Sequence, residues 1–374
     1  MAAINSEPDF KELKQMELEI HRENIAESEF KLHRLRLYGN ILVLGVASLA
    51  LLCVIIFAGT VGSTEIPLNA IFSMLLAKVF SLDTANAFTA SMQTIFFDVR
   101  LPRIFMAGLV GAALAVSGAA YQGMFRNPLA DPYLTGISQG AALGAVFGFL
   151  IPAGVPETII PMLAFSGAIL CVAAVYFIAR VGKTLPVTTL ILAGVAIGAF
   201  LASITSYLLI VSGDNVHGII FWLLGTFSLA DWWRVSIMVP YILAGIIIIC
   251  IFARPLNVMQ LDEEQAQQLG INVEKVKLVL LAAATLATAA AVCFCGIIGF
   301  VGIIIPHTIR ILFGPDHRLL LPLAPITGAG FLILADTVSR TLLAPSEIPV
   351  GIITALIGAP FFIYLLMQKK KAIF

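Results

Sequence analysis

The chain has 374 residues, 60% of them hydrophobic and only 12% charged, and its 22 basic and 22 acidic residues leave no net charge. Soluble domains run near half apolar and about a quarter charged, so a soluble protein of this length could not bury so much apolar surface; the solvent is lipid. The balanced charge offers no surplus to attract nucleic acid or another polyanion.

Residues 1–38 alternate acids and bases (Glu12, Lys14, Glu17, Glu19, Arg22, Glu23) without a hydrophobic stretch. They read as a cytosolic charged arm rather than a signal peptide, with a solvated helix as the plain expectation and partner binding as the alternative. Residues 39–374 form the membrane domain. Apolar stretches lie near 41–59, 104–123, 133–151, 158–179, 186–211, 235–253, 277–297, 319–340 and 349–367, and a short tenth at 298–312 is broken by Gly299, Gly302 and Pro306. A ~30 Å hydrocarbon core takes roughly 20 helical residues, and only a helix satisfies its own backbone there. The expected fold class is therefore an all-α polytopic membrane protein of about ten transmembrane helices.

Two apolar stretches are too short to cross. Residues 66–80 place Leu68, Ile71, Phe72, Leu75, Leu76, Val79 and Phe80 at helical spacing, which suits a helix in the outer interface. Residues 217–228 read as a half-helix on the same side. Gly136, Gly140, Gly144 and Gly148 recur every four residues, as do Gly194 and Gly198, so these helices should approach neighbours closely. Asp131 and Pro132 supply an N-cap and first-turn proline for the helix near 133–151.

Basic residues collect on the cytoplasmic side of membrane proteins. Ten spans with both ends inside put Arg126, Arg180, Lys183, Arg254, Lys275, Lys277, Arg310, Arg318 and Lys369–Lys371 within, leaving Lys78, Arg100, Arg103, Arg234 and Arg340 outside. Acids fall in loops or at helix ends except Asp336, four residues before Arg340, where a same-face ion pair can form. An ion-coupled secondary transporter would need more such acids.

No HExxH or GxSxG motif marks a catalytic site, and Cys53, Cys171, Cys250, Cys293 and Cys295 sit in apolar segments without ligand spacing. The GKT at Gly182–Thr184 lacks the glycine five residues before it, Phe177 standing there instead, so ATP binding by this chain is not expected. The longest inner connection, 254–276, starts at a proline, holds a polar run from Asp262 to Leu269 and stops at Gly270, a natural helix C-terminus. Such a helix could serve as a handle for a soluble motor or be an ordinary loop.

Four separated segments, RLPRIFMAGLVGAALAVSGAAYQGMFRNPLADPYLTGISQGAALGA (100–145), LDEEQAQQLGINV (261–273), GFVGIIIPHTIRILFGPDHRLLLP (299–322) and LADTVSRTLLAPSEIPVGIITALIGAPFFIYLL (334–366), resemble the FecCD/BtuC-type permeases of ABC importers. The resemblance runs from about residue 40 to the C-terminus. It implies a BtuC-like (type II) bundle of ten spans in a prokaryotic plasma membrane, both termini cytoplasmic, with no enzymatic activity and no cofactor of its own. It implies as partners a second permease copy, two cytosolic ATP-binding-cassette ATPase subunits and an extracytoplasmic substrate-binding protein. By position, Arg100, Arg103 and Arg340 match the outer arginines that receive acids of the binding protein. Asp262, Glu263, Glu264, Gln267 and Gly270, within segment 255–272, match the helix that couples to the ATPase. Thr188 and Thr189 match a cytoplasmic gate at the start of the path-lining helix, with interhelical hydrogen bonding as their other reading. The cargo implied is a metal chelate, ferric siderophore first, with cobalamin or haem as alternatives.

Overall fold

The computed structural model describes residues 37–62, 64, 66–80, 90–151, 156 and 158–373. The chain divides into two units, residues 1–48 and 49–374. Of the first unit, residues 37–48 are described and form the opening turns of a helix; the charged arm before residue 37 lies outside the described residues.

Fourteen helices are present among the described residues: α1 (Leu37–Thr60), α2 (Leu68–Phe80), α3 (Ser91–Phe125), α4 (Ile137–Leu150), α5 (Ile159–Ala179), α6 (Val187–Val211), α7 (Val216–Leu223), α8 (Trp232–Ile251), α9 (Ala253–Met259), α10 (Glu263–Gln268), α11 (Val273–Cys295), α12 (Val301–Phe313), α13 (His317–Thr341) and α14 (Val350–Ile373). Seven of them, α1, α3, α5, α6, α8, α11 and α13, are apolar and 20 to 35 residues long. At 1.5 Å per residue each covers about 30 Å or more, a full hydrocarbon core. With the shorter apolar α4 and α12 and the apolar part of α14, Val350–Tyr364, they make the ten crossings expected from the apolar stretches. The half-helix expected at 217–228 is the shorter α7, and the interfacial stretch is α2, which turns Ala70, Ile71 and Met74 onto Phe96 of α3.

In lipid no hydrophobic drive assembles helices, so close backbone approach carries the packing. The centre is α3, which packs on α13, α11, α12 and α8. Glycine is required where it crosses its neighbours: a Cβ on Gly118 would lie 2.0 Å from the Gly302 carbonyl oxygen, and one on Gly111 would lie 2.2 Å from that of Gly328. The four-residue glycine stripe faces α5 rather than α6, for a Cβ on Gly140 or Gly144 would meet the carbonyls of Gly167 and Leu163.

α4 and α12 are short because each starts inside the bundle. Gly136 (φ +77°) ends a 3₁₀ turn before α4, and Phe300 (φ +69°) ends the irregular segment before α12. Non-helical backbone at this depth must be satisfied by protein. The Tyr133 hydroxyl does so, donating to the Ile298 carbonyl at 3.0 Å and accepting from the Ile298 N–H at 3.3 Å. Asp131 caps the 3₁₀ turn Pro132–Thr135 by accepting from the Tyr133 N–H at 2.8 Å. The sequence expectation that it caps the following helix is thus corrected: a left-handed glycine separates turn from helix.

Candidate functional site

The two helix breaks open onto a groove of about 440 Å³, floored by the turn from Asp131 to Gly136, with Gly194, Val195, Gly198 and Ala199 of α6 on one side and Gly299, Phe300 and Ile303 on the other. Gly194 lets the turn press against α6, since a Cβ there would lie 2.1 Å from the Leu134 carbonyl oxygen. None of the lining residues is a cation, and Asp131 and Tyr133 are its ionisable groups. Such a surface can let a bulky solute slide past with few strong polar bonds to break. Beyond the groove, α6 leaves Leu192, Phe200, Tyr207 and Ile210 exposed, a lipid-type or helix-type face.

At one end of the bundle Arg100, Arg103 and Arg340 are all buried. Arg100 donates to the carbonyls of Gly59 and Thr60 at 2.8 and 3.3 Å and to that of Thr64, so it satisfies the carbonyl end of α1, where the helix dipole favours a cation. Arg103 grips the buried Asp336 through Nε, 3.0 Å from both carboxylate oxygens, and through Nη2 at 2.8 Å, and it bonds Glu347 at 2.7 Å. Ser228 donates to the second oxygen of Glu347 at 2.7 Å. Arg340 donates to the Ala58 carbonyl, and its Nε lies 3.9 Å from Asp336. The i,i+4 pair legible in the sequence is therefore the long, weak one; the strong partner of Asp336 comes from α3. Burial alone would raise the pKa of Glu347, but the hydrogen bond and charge of Arg103, with the Ser228 hydrogen bond and the Arg340 charge, together outweigh it and hold the carboxyl below its ordinary value. Among these five groups, three guanidiniums face two carboxylates, and among the described residues the hydrogen-bond partners of Arg100 are backbone carbonyls.

At the other end, α9 and α10 form a platform. Gln260 donates to the Gly123 carbonyl at 2.8 Å, and Asn257 joins Asp316 at 2.6 Å while accepting from the His317 N–H at 2.9 Å. In α10 only Ala266 is buried; Glu264, Gln265, Gln267 and Gln268 are exposed, flanked by exposed Leu261 and Leu269. Gly270 (φ +84°) closes the helix, its N–H bonding the Gln267 carbonyl at 2.9 Å while the Ile271 N–H bonds that of Ala266 at 3.0 Å. Asp262 pairs with Arg126 at 2.9 Å, and its pKa is lowered by the Glu263 backbone N–H and by Arg126. Thr188, at the start of α6, is exposed. Thr189 spends its hydroxyl on the carbonyls of Ala179 and Pro186, both at 2.9 Å, which is the interhelical bond the sequence left open.

Lys277, counted from sequence as one more inner-side cation, is buried and bonds Glu263, Glu274 and the Leu185 carbonyl. The Glu274–Lys277 spacing of three on one helix was the available signal. Its link to Leu185, far away in the chain, had none. Among the described residues no group of three or more His, Cys, Asp or Glu side chains is placed to hold a metal ion.

A family model described as the FecCD transport family matches residues 49–368. The chain is 41% identical over 343 residues to an uncharacterised ABC transporter permease protein, YvrB, of Bacillus subtilis, covering 90% of this chain and 97% of that one. It is 47% identical over 278 residues to the cobalamin import system permease protein BtuC of Halobacterium salinarum, 74% of each chain. Among solved structures, one described as an inward-facing conformation of a metal-chelate type ABC transporter superposes with a TM-score of 0.76 at 30% identity, covering 87% of this chain and 99% of that one.

Proposed function

The chain belongs to the FecCD transport family, permeases of ABC importers for metal chelates, and on that premise we propose that its cargo is a ferric siderophore moved by alternating access along the α6 groove. The observation that carries this reading is the groove itself: a cation-free surface where two helices break beside a small-residue face. It would pass a bulky chelate without gripping it, leaving selection to an extracytoplasmic binding protein. A second copy of the chain, laid against the exposed face of α6, would close the groove into a path.

The other roles follow from the two ends. The polar, shallowly seated α10, with Asp262, Glu263, Glu264, Gln267 and Gly270, is the contact for a cytosolic ATPase, one for each permease copy. The end carrying Arg100, Arg103 and Arg340 receives the binding protein, whose acids would answer the surplus cation by charge-assisted hydrogen bonds. Both termini then lie in the cytoplasm, and Thr188 and Thr189 stand at the inner gate. Secondary transport is disfavoured because, among the described residues, Asp336 is committed to Arg103 and Asp131 of the groove turn accepts the Tyr133 N–H.

A cobalamin cargo is the second reading, favoured by the 47% identity to the halobacterial permease named for cobalamin. Proteoliposomes holding the chain, its ATPase and its binding protein separate the two. Accumulation of radiolabelled iron as a siderophore, with labelled cobalamin left outside, supports the first; the reverse replaces it with the second.

A further inference from the structure

α10 hangs from the bundle by few bonds, and they differ in quality. The Arg126–Asp262 pair has side chains 41% and 46% exposed, and exposed pairs contribute little. Lys277 is only 2% exposed, and among the described residues its ammonium has one acceptor for each of its three protons: Glu263 Oε2 of α10 at 2.7 Å, the Leu185 carbonyl at 3.2 Å and Glu274 Oε1 at 3.3 Å. The other oxygen of Glu274 accepts from the Leu185 N–H at 2.7 Å. Both peptide groups of Leu185 are thus held by α11, and the same lysine holds α10. Leu185 is followed by Pro186, the N-cap of α6, where Thr189 ties the α6 base to the last carbonyl of α5. A displacement of α10 therefore has a short route, centred on a buried ammonium, to the foot of the groove-lining helix.

We propose that Lys277, with Glu263 and Glu274, is the positioning residue that transmits movement of the ATPase-contact helix to the inner end of α6. The inference rests on the importer reading above, and it adds to it a specific link between motor and path. Lys277 touches neither cargo nor nucleotide; it acts by holding Leu185 to α10. Replacing the ammonium should leave ATP hydrolysis running while transport loses its grip on it.

The test compares uptake per ATP hydrolysed in proteoliposomes containing the permease with its ATPase and binding protein. If the wild-type complex shows no ATP-driven uptake, the importer reading falls and the clamp falls with it. With wild-type uptake established, Lys277→Met should lower uptake per ATP at least tenfold, and Lys277→Arg should restore it to within about twofold. A merely structural lysine would lower hydrolysis and uptake together, leaving the ratio unchanged, and that result overturns the proposal. Should Lys277→Met fail to assemble, Glu274→Gln decides, because it lies outside the ATPase contact and weakens the bonds to Lys277 and to the Leu185 N–H: a matching fall in the ratio supports the clamp, and an unchanged ratio overturns it.

Discussion

Asp336→Asn probes the end of the bundle where charge is most concentrated. In the wild type the buried carboxylate makes three hydrogen bonds with Arg103 at 2.8 to 3.0 Å, and Arg340 stands 3.9 Å away. Removing one partner of a buried pair costs about 3–5 kcal/mol because the other charge is stranded. Here Arg103 keeps Glu347 at 2.7 Å, so the lower end applies, about 3 kcal/mol or a factor of roughly 100 in the folding equilibrium. The double variant Arg103→Met with Asp336→Leu removes both charges and leaves Glu347, 37% exposed and held by Ser228, to solvent and Arg340. It should cost about 1 kcal/mol or less, since replacing a buried pair by apolar side chains of similar size is often near neutral. Equilibrium unfolding in mixed micelles, followed by tryptophan fluorescence, measures both; Trp232 reports on this region through its indole bond to the Phe97 carbonyl at 2.9 Å. An Asp336→Asn loss under about 0.5 kcal/mol, or a double variant less stable than the single, would refute the reasoning.

In the groove, a Cβ on Gly198 would meet only Gln139 at 3.6 Å and Gly136 at 4.0 Å, ordinary contact distances. Gly198→Ala should therefore transport normally while Gly198→Phe, which fills the groove, cuts uptake at least tenfold without loosening ATPase association. Glu347 has a depressed pKa, so its contribution is fully present above the unfolded value near about 4.3 and is lost as pH falls through the lower folded value. The melting-temperature gap between wild type and Glu347→Gln should hold steady above about pH 5 and shrink on acidification below it; a gap that widens in acid contradicts the assignment. Arg100→Gln and Arg340→Gln should each weaken capture of the binding protein, most at low ionic strength where attraction of its acids toward this end of the bundle is least screened. Salt-independent capture, or none lost, would remove these arginines from the docking surface.

Much of the fold was legible because a bilayer makes helix length and apolarity a nearly sufficient code. The ten spans, α2, the half-helix α7 and the stop at Gly270 all follow from local pattern. What local pattern withheld was partnership. Glycines 140 and 144 announced a close approach without saying that α5 would be the neighbour. Asp336 has Arg340 at i+4, yet its ligand is Arg103, 233 residues away, because α3 and α13 cross at Gly111 and Gly328 and bring those helix ends together. Asp131 looked like the cap of α4, but the positive φ of Gly136 inserts a turn between them. Lys277 read as one more inner cation until α10 and the α5–α6 turn closed around it.

The most direct measurement places the purified chain in proteoliposomes with its ATPase and binding protein and follows ATP hydrolysis and chelate accumulation together. ATP hydrolysis that rises when the loaded binding protein is added, with chelate entering only when ATP is present, is the predicted result. Uptake driven by a proton or sodium gradient without ATP, or hydrolysis indifferent to the loaded binding protein, would contradict it.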